Sequence, residues 1–248
     1  IFFEVILLIF ASFFAGIINS IAGGGSFLTF PALVFTGVPT IAANATSAVA
    51  VFPGYLSGAL GFAKELREVP KSKIFLLIIL SVLGGILGSV LLLITPSDVF
   101  SFVIPWLLGF ATILFAFGNY ISEWAEKTNG SGGTMGSIAT LVVCIYGGYF
   151  NGGLGIILLA LFSALGMRDI HLMNGLKNIM SFALSAASVL TFAIAGIVFW
   201  KQAIIMMIAA TIGGYFGVFV ARKLSKNTIR SIIVIIGLIM TLIFGMKA

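Results

Sequence analysis

Long apolar runs separated by short polar breaks make up almost the whole chain. A helix needs about 20 apolar residues to cross the roughly 30 Å hydrocarbon core of a bilayer. Eight runs approach or exceed that length: Val5–Ala22, Ile41–Phe62, Ile74–Ile94, Phe102–Tyr120, Met135–Phe150, Ile170–Phe199, Ala203–Ala221 and Ile229–Met246. Two others, Phe27–Phe35 and Leu154–Leu165, are too short to cross alone at about 1.5 Å per residue. The pattern predicts an all-α, polytopic membrane protein.

The order of long and short runs repeats along the chain. Each half contains four long segments and one short or re-entrant segment, which predicts a first repeat over residues 1–120 and a second over residues 134–248. Between them, residues 121–133 carry charged side chains and a Gly/Ser-rich stretch, as a linker would. We therefore expect one membrane domain built from two repeats, as in many secondary transporters.

The two halves also match in sequence at a fixed offset of 129. The matching glycines are Gly84, Gly85 and Gly88 in the first half and Gly213, Gly214 and Gly217 in the second. Small residues spaced four apart inside long apolar helices let neighbouring helices approach closely. We interpret these glycines as packing seams.

Composition narrows the class of protein further. Of 248 residues, 60% are hydrophobic and 8% are charged, whereas a soluble domain carries about 25% charged residues. Such a chain cannot cover a water-facing surface, which excludes an ordinary cytosolic enzyme, a disordered chain and a nucleic-acid-binding protein. We expect the lipid bilayer, and no nucleic acid, as its surroundings.

The basic residues predict how the halves are oriented. In the first half they occupy the loop from Lys64 to Lys73, and the next loop, around Asp98, has none. In the second half the loop equivalent to the first holds only Lys201, and the following one, over residues 222–230, is basic. Because basic loops stay on the cytoplasmic side, this exchange predicts inverted repeats in a cell inner membrane.

Glycine-rich breaks interrupt the apolar pattern where the first long run of each half meets the short run. The residues of these breaks are Asn19, Gly23, Gly24, Gly25 and Ser26 in the first half and Asn151, Gly153 and Gly155 in the second. A helix interrupted at membrane depth must be buried in protein or line a wet cavity. Backbone N–H groups at the start of the next helix form an anion site. We expect these residues to bind a small anionic substrate; close helix packing is the alternative.

The start of the third run in each half adds further polar side chains, namely Thr46 and Ser47 in the first half and Lys177 and Asn178 in the second. Lys177 lies inside an apolar run and has no acidic residue three or four positions away. A charge at such depth costs roughly 2.5–3.5 kcal/mol and marks a pathway or a site. A diffusible anion is the natural counter-charge, and snorkelling to the interface is the alternative.

The sequence lacks the residues that nucleotide binding, metal binding and an internal disulfide require. No Gly-x-x-x-x-Gly-Lys-Ser/Thr motif for nucleotide phosphates is present. The single His171 has no second His or Cys at metal-ligand spacing, and the lone Cys144 cannot form a disulfide within the chain. We therefore expect no metal site, no cofactor and no enzyme activity.

Several of these motifs resemble the sulfite exporter TauE/SafE family over nearly the whole chain. The segment from Phe14 to Leu33, with its three glycines and Pro31, is similar to the first signature of that family, and Asn44-Ala-Thr46-Ser47 is similar to the second. Residues 147–155 and 174–178 resemble a second copy, although that copy lacks a proline equivalent to Pro31. The resemblance implies a permease or exporter for sulfite, organosulfonates or related sulfur oxyanions.

Taken together, the sequence predicts a secondary transporter that moves a small anion by alternating access, with its site between the repeats. An anion channel, a carboxylate carrier and a membrane interaction protein without transport activity are the alternatives. The sequence is also compatible with a homodimer.

Overall fold

The computed structural model describes residues 2–21, 23–127, 133–221 and 226–246. Every regular element in these ranges is a helix: α1 (Phe2–Ile21), α2 (Ser26–Phe35), α3 (Thr40–Gly61), α4 (Ala63–Leu66), α5 (Lys71–Ile94), α6 (Ser97–Lys127), α7 (Thr134–Tyr149), α8 (Leu154–Ala164), α9 (Ile170–Ile194), α10 (Trp200–Ala221) and α11 (Lys226–Gly245). Within the described residues, four helices contain a stretch that is long and apolar enough to cross a membrane: Phe2–Asn19, Lys71–Ile94, Ser97–Leu114 and Ile170–Ile194. The predicted all-α, polytopic membrane architecture is confirmed.

The two short helices end in the same way. After α2, Gly37 adopts a φ of +84°, and the Val38 N–H donates to the Leu33 carbonyl. After α8, Gly166, which lies 129 positions later, adopts a φ of +82°, and the equivalent hydrogen bond closes the turn. A left-handed glycine is the usual way to terminate a helix and satisfy its last carbonyls. The same stop signal therefore limits both short helices to lengths that cannot span a bilayer.

Helix packing repeats when the two halves are exchanged. Helix α1 packs along α10, and its counterpart α7 packs along α5, the counterpart of α10. The counterparts α3 and α9 pack on each other at the centre, as do α6 and α11. The structure therefore has a repeated arrangement of helices. The opposite orientation of the halves across a membrane stays a prediction, and so do the domain boundaries.

The glycine seams are packed as the sequence predicts. A Cβ atom added to Gly213 would overlap the Phe13 carbonyl of α1, and one added to Gly88 would overlap the Ile145 carbonyl of α7. On Gly148, a Cβ atom would lie 2.7 Å from the Gly85 carbonyl oxygen. These positions need glycine because backbone meets backbone. Gly217 lies outside the residues whose surroundings are described.

Two helices end at other residues than the apolar runs predict. Helix α6 continues to Lys127, so residues 121–127 of the predicted linker are helical, and residues 128–132 lie outside the described residues. Helix α9 ends at Ile194 instead of Phe199, because Gly196 turns the chain with a φ of +70°. In both cases hydropathy alone did not mark the end of the helix.

Buried aromatic side chains pack beside the second break. Phe30 of α2 and Phe150, which follows α7, are almost fully buried, and their rings meet edge to face with centroids 5.9 Å apart. Phe244 of α11 stacks on Phe30 with centroids 5.5 Å apart. Aromatic pairs in these geometries add to the stabilisation from apolar burial. They anchor the second break against the short helix of the first half.

Candidate functional site

The two glycine-rich breaks meet inside the protein. The first lies between α1 and α2 and the second between α7 and α8, with Gly23 and Gly153 at φ values of +70° and +75°. A Cβ atom on Gly23 would lie 3.3 Å from the Gly155 Cα atom. The backbones of the two breaks are therefore in contact.

The Lys177 side chain reaches this contact from α9. The residue is 2% exposed, and its Nζ atom lies 3.8 Å from a Cβ atom placed on Gly23. Nζ donates to the Asn174 Oδ1 atom at 3.0 Å, and it forms no ion pair with any carboxylate in the described part of the chain. The ammonium group does not snorkel to bulk water. It lies buried where the two breaks meet.

Backbone amides in the first break have a different role from the one expected. The Gly24 and Gly25 N–H groups donate to Asn19 Oδ1 at 3.0 and 3.1 Å, and the Gly23 N–H donates to the Ile18 carbonyl at 3.3 Å. These three N–H groups are occupied in this conformation and are not free for an anion. Asn19 thus replaces the backbone hydrogen bonds that the helix break removes, as lipid surroundings require.

Glycine at position 25 is also needed for packing. A Cβ atom there would lie 2.7 Å from the Ala15 carbonyl oxygen of α1. A Cβ atom on Gly153 would lie 2.8 Å from the Ala111 Cβ atom of α6. Both glycines therefore combine a place in a break with a close approach to a neighbouring helix. Ser26 is buried at the first position of α2.

Tyr55 connects the two breaks, and the sequence analysis did not single it out. Its hydroxyl group donates to Asn151 Oδ1 at 3.2 Å, and the Asn19 side chain lies near the same hydroxyl. Asn19 and Asn151 each follow a glycine by three positions, Gly16 and Gly148. One buried side chain of α3 therefore lies between an asparagine of each break.

Thr46 and Ser47, near the start of α3, form hydrogen bonds to neighbouring segments of the protein. The Thr46 hydroxyl accepts a hydrogen bond from the Phe199 N–H at 3.1 Å, just before α10. The Ser47 and Thr29 hydroxyl groups are 2.6 Å apart and join α3 to α2. Neither side chain has a hydrogen bond to the residues of the breaks in the ranges that the structure describes. Their predicted contact with the substrate stays a prediction.

Asn178 faces the central helix pair. A Cβ atom on Gly58 of α3 would lie 2.7 Å from the Asn178 Nδ2 atom, so the amide packs tightly against that helix. Nearby, Phe52 of α3 and Phe182 of α9 stack with ring centroids 4.9 Å apart. Asn178 is therefore adjacent to Lys177 in sequence but is directed at the α3–α9 contact.

Taken as a whole, the site has one cation, several amide and hydroxyl groups and a tight glycine contact. In the described ranges, no group of three or more His, Cys, Asp or Glu side chains is arranged to hold a metal ion. The chemistry that this set supports is reversible binding of an anion by charge and hydrogen bonds. It offers no nucleophile paired with a base.

Comparisons with known proteins agree with this architecture. The sequence pattern of the family described as Sulfite exporter TauE/SafE matches residues 8–244. The chain is 30% identical over 242 residues to a "Probable membrane transporter protein" of Haemophilus influenzae, with 95% of this chain and 92% of the relative covered. It is 26% identical over 235 residues to "Probable membrane transporter protein YfcA" of Escherichia coli K12, covering 95% and 87%.

A third relative, "Probable membrane transporter protein ORF9" of a Sinorhizobium species, is 24% identical over 228 residues, covering 92% of this chain and 87% of the relative. No solved structure matches the chain. The family pattern spans almost all of the described helices and both breaks. The chain therefore belongs to the sulfite exporter TauE/SafE family and is a multi-pass membrane transporter.

Proposed function

We propose that the protein is a secondary carrier for sulfite, organosulfonates or related sulfur oxyanions in the cell inner membrane. The observation that carries this proposal is the buried Lys177 ammonium group, which lies beside the Gly23–Gly155 contact with no carboxylate partner among the described residues. An unpaired buried charge is costly. An anion that enters the site supplies the missing counter-charge.

The polar groups around Lys177 suit an oxyanion. A sulfite or sulfonate group presents three oxygen atoms that accept several hydrogen bonds at once, and charge-assisted hydrogen bonds are the stronger ones. In this conformation Tyr55 is hydrogen-bonded to Asn151 and lies near Asn19. If the Gly23–Gly155 contact opens, their amide groups become available to the substrate from one side of the membrane.

The proposal includes alternating access, because the two breaks belong to different halves of the protein. Each break belongs to a different half, and the two halves pack in equivalent ways. Rocking one half against the other would open the contact between the breaks toward one side at a time. We therefore infer a carrier that works without an enzymatic step, and we place Lys177 at the centre of the substrate site.

Anion channels and carboxylate carriers are the alternatives. A channel with the same donors would conduct without saturation, whereas a carrier saturates with substrate. A carboxylate has two acceptor oxygens, whereas a sulfonate has three. If the site is built for a carboxylate, acetate should bind more tightly than ethanesulfonate. These comparisons separate the candidates without any change to the protein.

The experiment combines binding and flux. Purified protein is tested for thermal stabilisation by sulfite, sulfate, thiosulfate, taurine, sulfoacetate and simple carboxylates, since a ligand at about 100 times its Kd stabilises by about 2.7 kcal/mol. Uptake of the stabilising anion into proteoliposomes is then compared for the natural chain, Lys177→Met and the control Lys201→Met, whose lysine is exposed. We expect saturable uptake that Lys177→Met abolishes and Lys201→Met retains.

Two outcomes would contradict the proposal. Unchanged uptake by Lys177→Met would remove the ammonium group from the transport path. Stabilisation by carboxylates but by none of the sulfur oxyanions would reassign the substrate class.

A further inference from the structure

An open groove, lined mainly by residues of the first half, lies outside the substrate site. It encloses about 550 Å³ between α3, α4, α5 and α9. Its wall is apolar, with Leu56, Leu60 and Ile74 among the lining residues, and two cations, Arg67 and Lys71, complete the lining. No carboxylate lines it. The groove therefore combines an apolar wall with a cationic end.

The cations lie at the level where a membrane span begins. Lys71 is the first residue of α5, whose stretch Lys71–Ile94 is long and apolar enough to cross a bilayer. Arg67 lies in the turn just before it. Leu60 and Leu56, one helical turn apart on α3, are 68% and 43% exposed, so the apolar wall is open at the side of the protein. This is the geometry of a lipid molecule with its headgroup at the interface and its acyl chain alongside a helix.

Charge also distinguishes this groove. Glu65 and Glu68 belong to the same loop, yet neither Arg67 nor Lys71 forms an ion pair with a carboxylate in the part of the chain that the structure describes. At the equivalent positions of the second half, the offset of 129 places Gly196 and Trp200, which carry no charge. The cationic end is therefore a property of the first half and not of the repeat.

We propose that this groove binds an anionic phospholipid. The phosphodiester group is held by Arg67 and Lys71, because a guanidinium group matches the geometry of phosphate oxygens and lysine adds a second charge. One acyl chain lies along Leu60 and Leu56. Basic pockets between membrane helices recognise anionic headgroups in this way. A zwitterionic lipid brings its own ammonium group toward these cations and binds less well.

The test is native mass spectrometry of the purified full-length chain in detergent. It is titrated with phosphatidylglycerol and with phosphatidylcholine of the same acyl chains. We expect about a tenfold preference for phosphatidylglycerol, which corresponds to about 1.4 kcal/mol. Inorganic phosphate at the same concentration should not displace the lipid, since it cannot use the apolar wall.

Three variants locate the site. Arg67→Gln/Lys71→Gln should lose the preference while still binding both lipids weakly. Lys64→Gln/Lys201→Gln removes the same charge from exposed positions outside the groove and should keep the preference. Ala63→Phe places a large side chain in the apolar part of the groove and leaves both cations intact, so it should weaken the binding of both lipids. Thermal unfolding without lipid checks that each variant is folded.

The proposal is overturned if the Arg67→Gln/Lys71→Gln variant keeps its preference for phosphatidylglycerol, or if the Lys64→Gln/Lys201→Gln control loses it equally. Displacement by inorganic phosphate would show a plain anion site and no lipid groove. If the double variant does not fold, an unchanged titration of Ala63→Phe overturns the proposal by itself. None of these results depends on anion transport.

Discussion

The cost of a buried charge is concentrated at one residue, Lys177. Its ammonium group has one side-chain hydrogen-bond partner, Asn174 Oδ1, and is 2% exposed. Removing one member of a buried ion pair destabilises a protein, but an unpaired charge contributes mainly its desolvation cost. The resting stability of a Lys177 variant therefore reports whether the charge already has a counter-charge.

We predict that Lys177→Met unfolds at an equal or higher temperature than the natural chain in anion-free buffer. Methionine has a similar length and no desolvation cost. The measurement is thermal unfolding of detergent-purified protein, with Lys201→Met as the exposed control, for which a change within about 0.5 kcal/mol is expected. A loss of several kcal/mol in Lys177→Met would show that the ammonium group is paired without substrate.

The Tyr55 hydroxyl group lies between the two breaks and donates a hydrogen bond to Asn151. We predict that Tyr55→Phe destabilises the protein by about 1–3 kcal/mol, because Asn151 Oδ1 loses its donor inside the protein. Chemical unfolding in detergent measures this loss. Tyr120→Phe, at a residue that is 70% exposed, should change the stability little. Equal stability of both variants would mean that Asn151 finds another partner.

At the scale of elements, the two breaks work only if their backbones can touch. Gly23 and Gly37 both have a φ in the left-handed region, +70° and +84°. A Cβ atom on Gly23 would press against Gly155, whereas one on Gly37 would meet nothing within 4 Å. The two glycines therefore separate backbone strain from the contact between breaks.

We predict that Gly23→Ala and Gly37→Ala each lose about 1–2 kcal/mol of stability, the cost of a left-handed L-residue. Only Gly23→Ala should also reduce anion uptake into proteoliposomes, because only its methyl group separates the breaks. Uptake per folded protein is the measurement, and Gly37→Ala is the matched control. Equal reductions would show that strain alone accounts for the effect.

Features that depend on neighbouring residues in the sequence were predictable. The apolar runs predicted the helices, the glycines predicted the breaks and the packing seams, and the isolated lysine predicted the buried cation. Contacts between distant residues were not predictable: Tyr55 and Asn151 are 96 positions apart, and nothing in the spacing pairs them. The hydrogen bonds that Asn19 accepts from the Gly24 and Gly25 N–H groups were not predictable either, because a side chain that satisfies its own break is indistinguishable in sequence from one that faces a ligand.

Across the whole molecule, comparing equivalent positions of the two halves shows a hydrogen bond that only one of two equivalent places has. The Thr46 hydroxyl of the first half accepts a hydrogen bond from the Phe199 N–H of the second half, just before α10 begins. At the equivalent place before α5 stands Pro70, which has no N–H, and the position equivalent to Thr46 is Gly175, which has no hydroxyl. Donor and acceptor are absent together. The space at Gly175 is used instead by Phe62 and Leu66, which pack against it as the chain turns into α4.

The last prediction concerns the orientation of the two halves across the membrane. If the repeats are inverted, the basic loop before α5 and the basic segment after α10 lie on the cytoplasmic side, and the loops before α6 and α10 lie on the other. Single cysteines at Glu68 and Ser225 should then be labelled from one side of the membrane. Cysteines at Asp98 and Lys201 should be labelled from the opposite side.

These cysteines are introduced into a Cys144→Ala background, in which the natural buried cysteine is absent. A membrane-impermeant maleimide is applied to intact cells and to inside-out vesicles, and permeabilised membranes give the full labelling of each site. Inverted repeats require that Asp98→Cys and Lys201→Cys react in cells and that Glu68→Cys and Ser225→Cys react in vesicles. Parallel repeats would place Glu68→Cys with Lys201→Cys, since Glu68 lies just before α5 and Lys201 lies in the first turn of its counterpart α10. That pattern would overturn the prediction of inverted repeats.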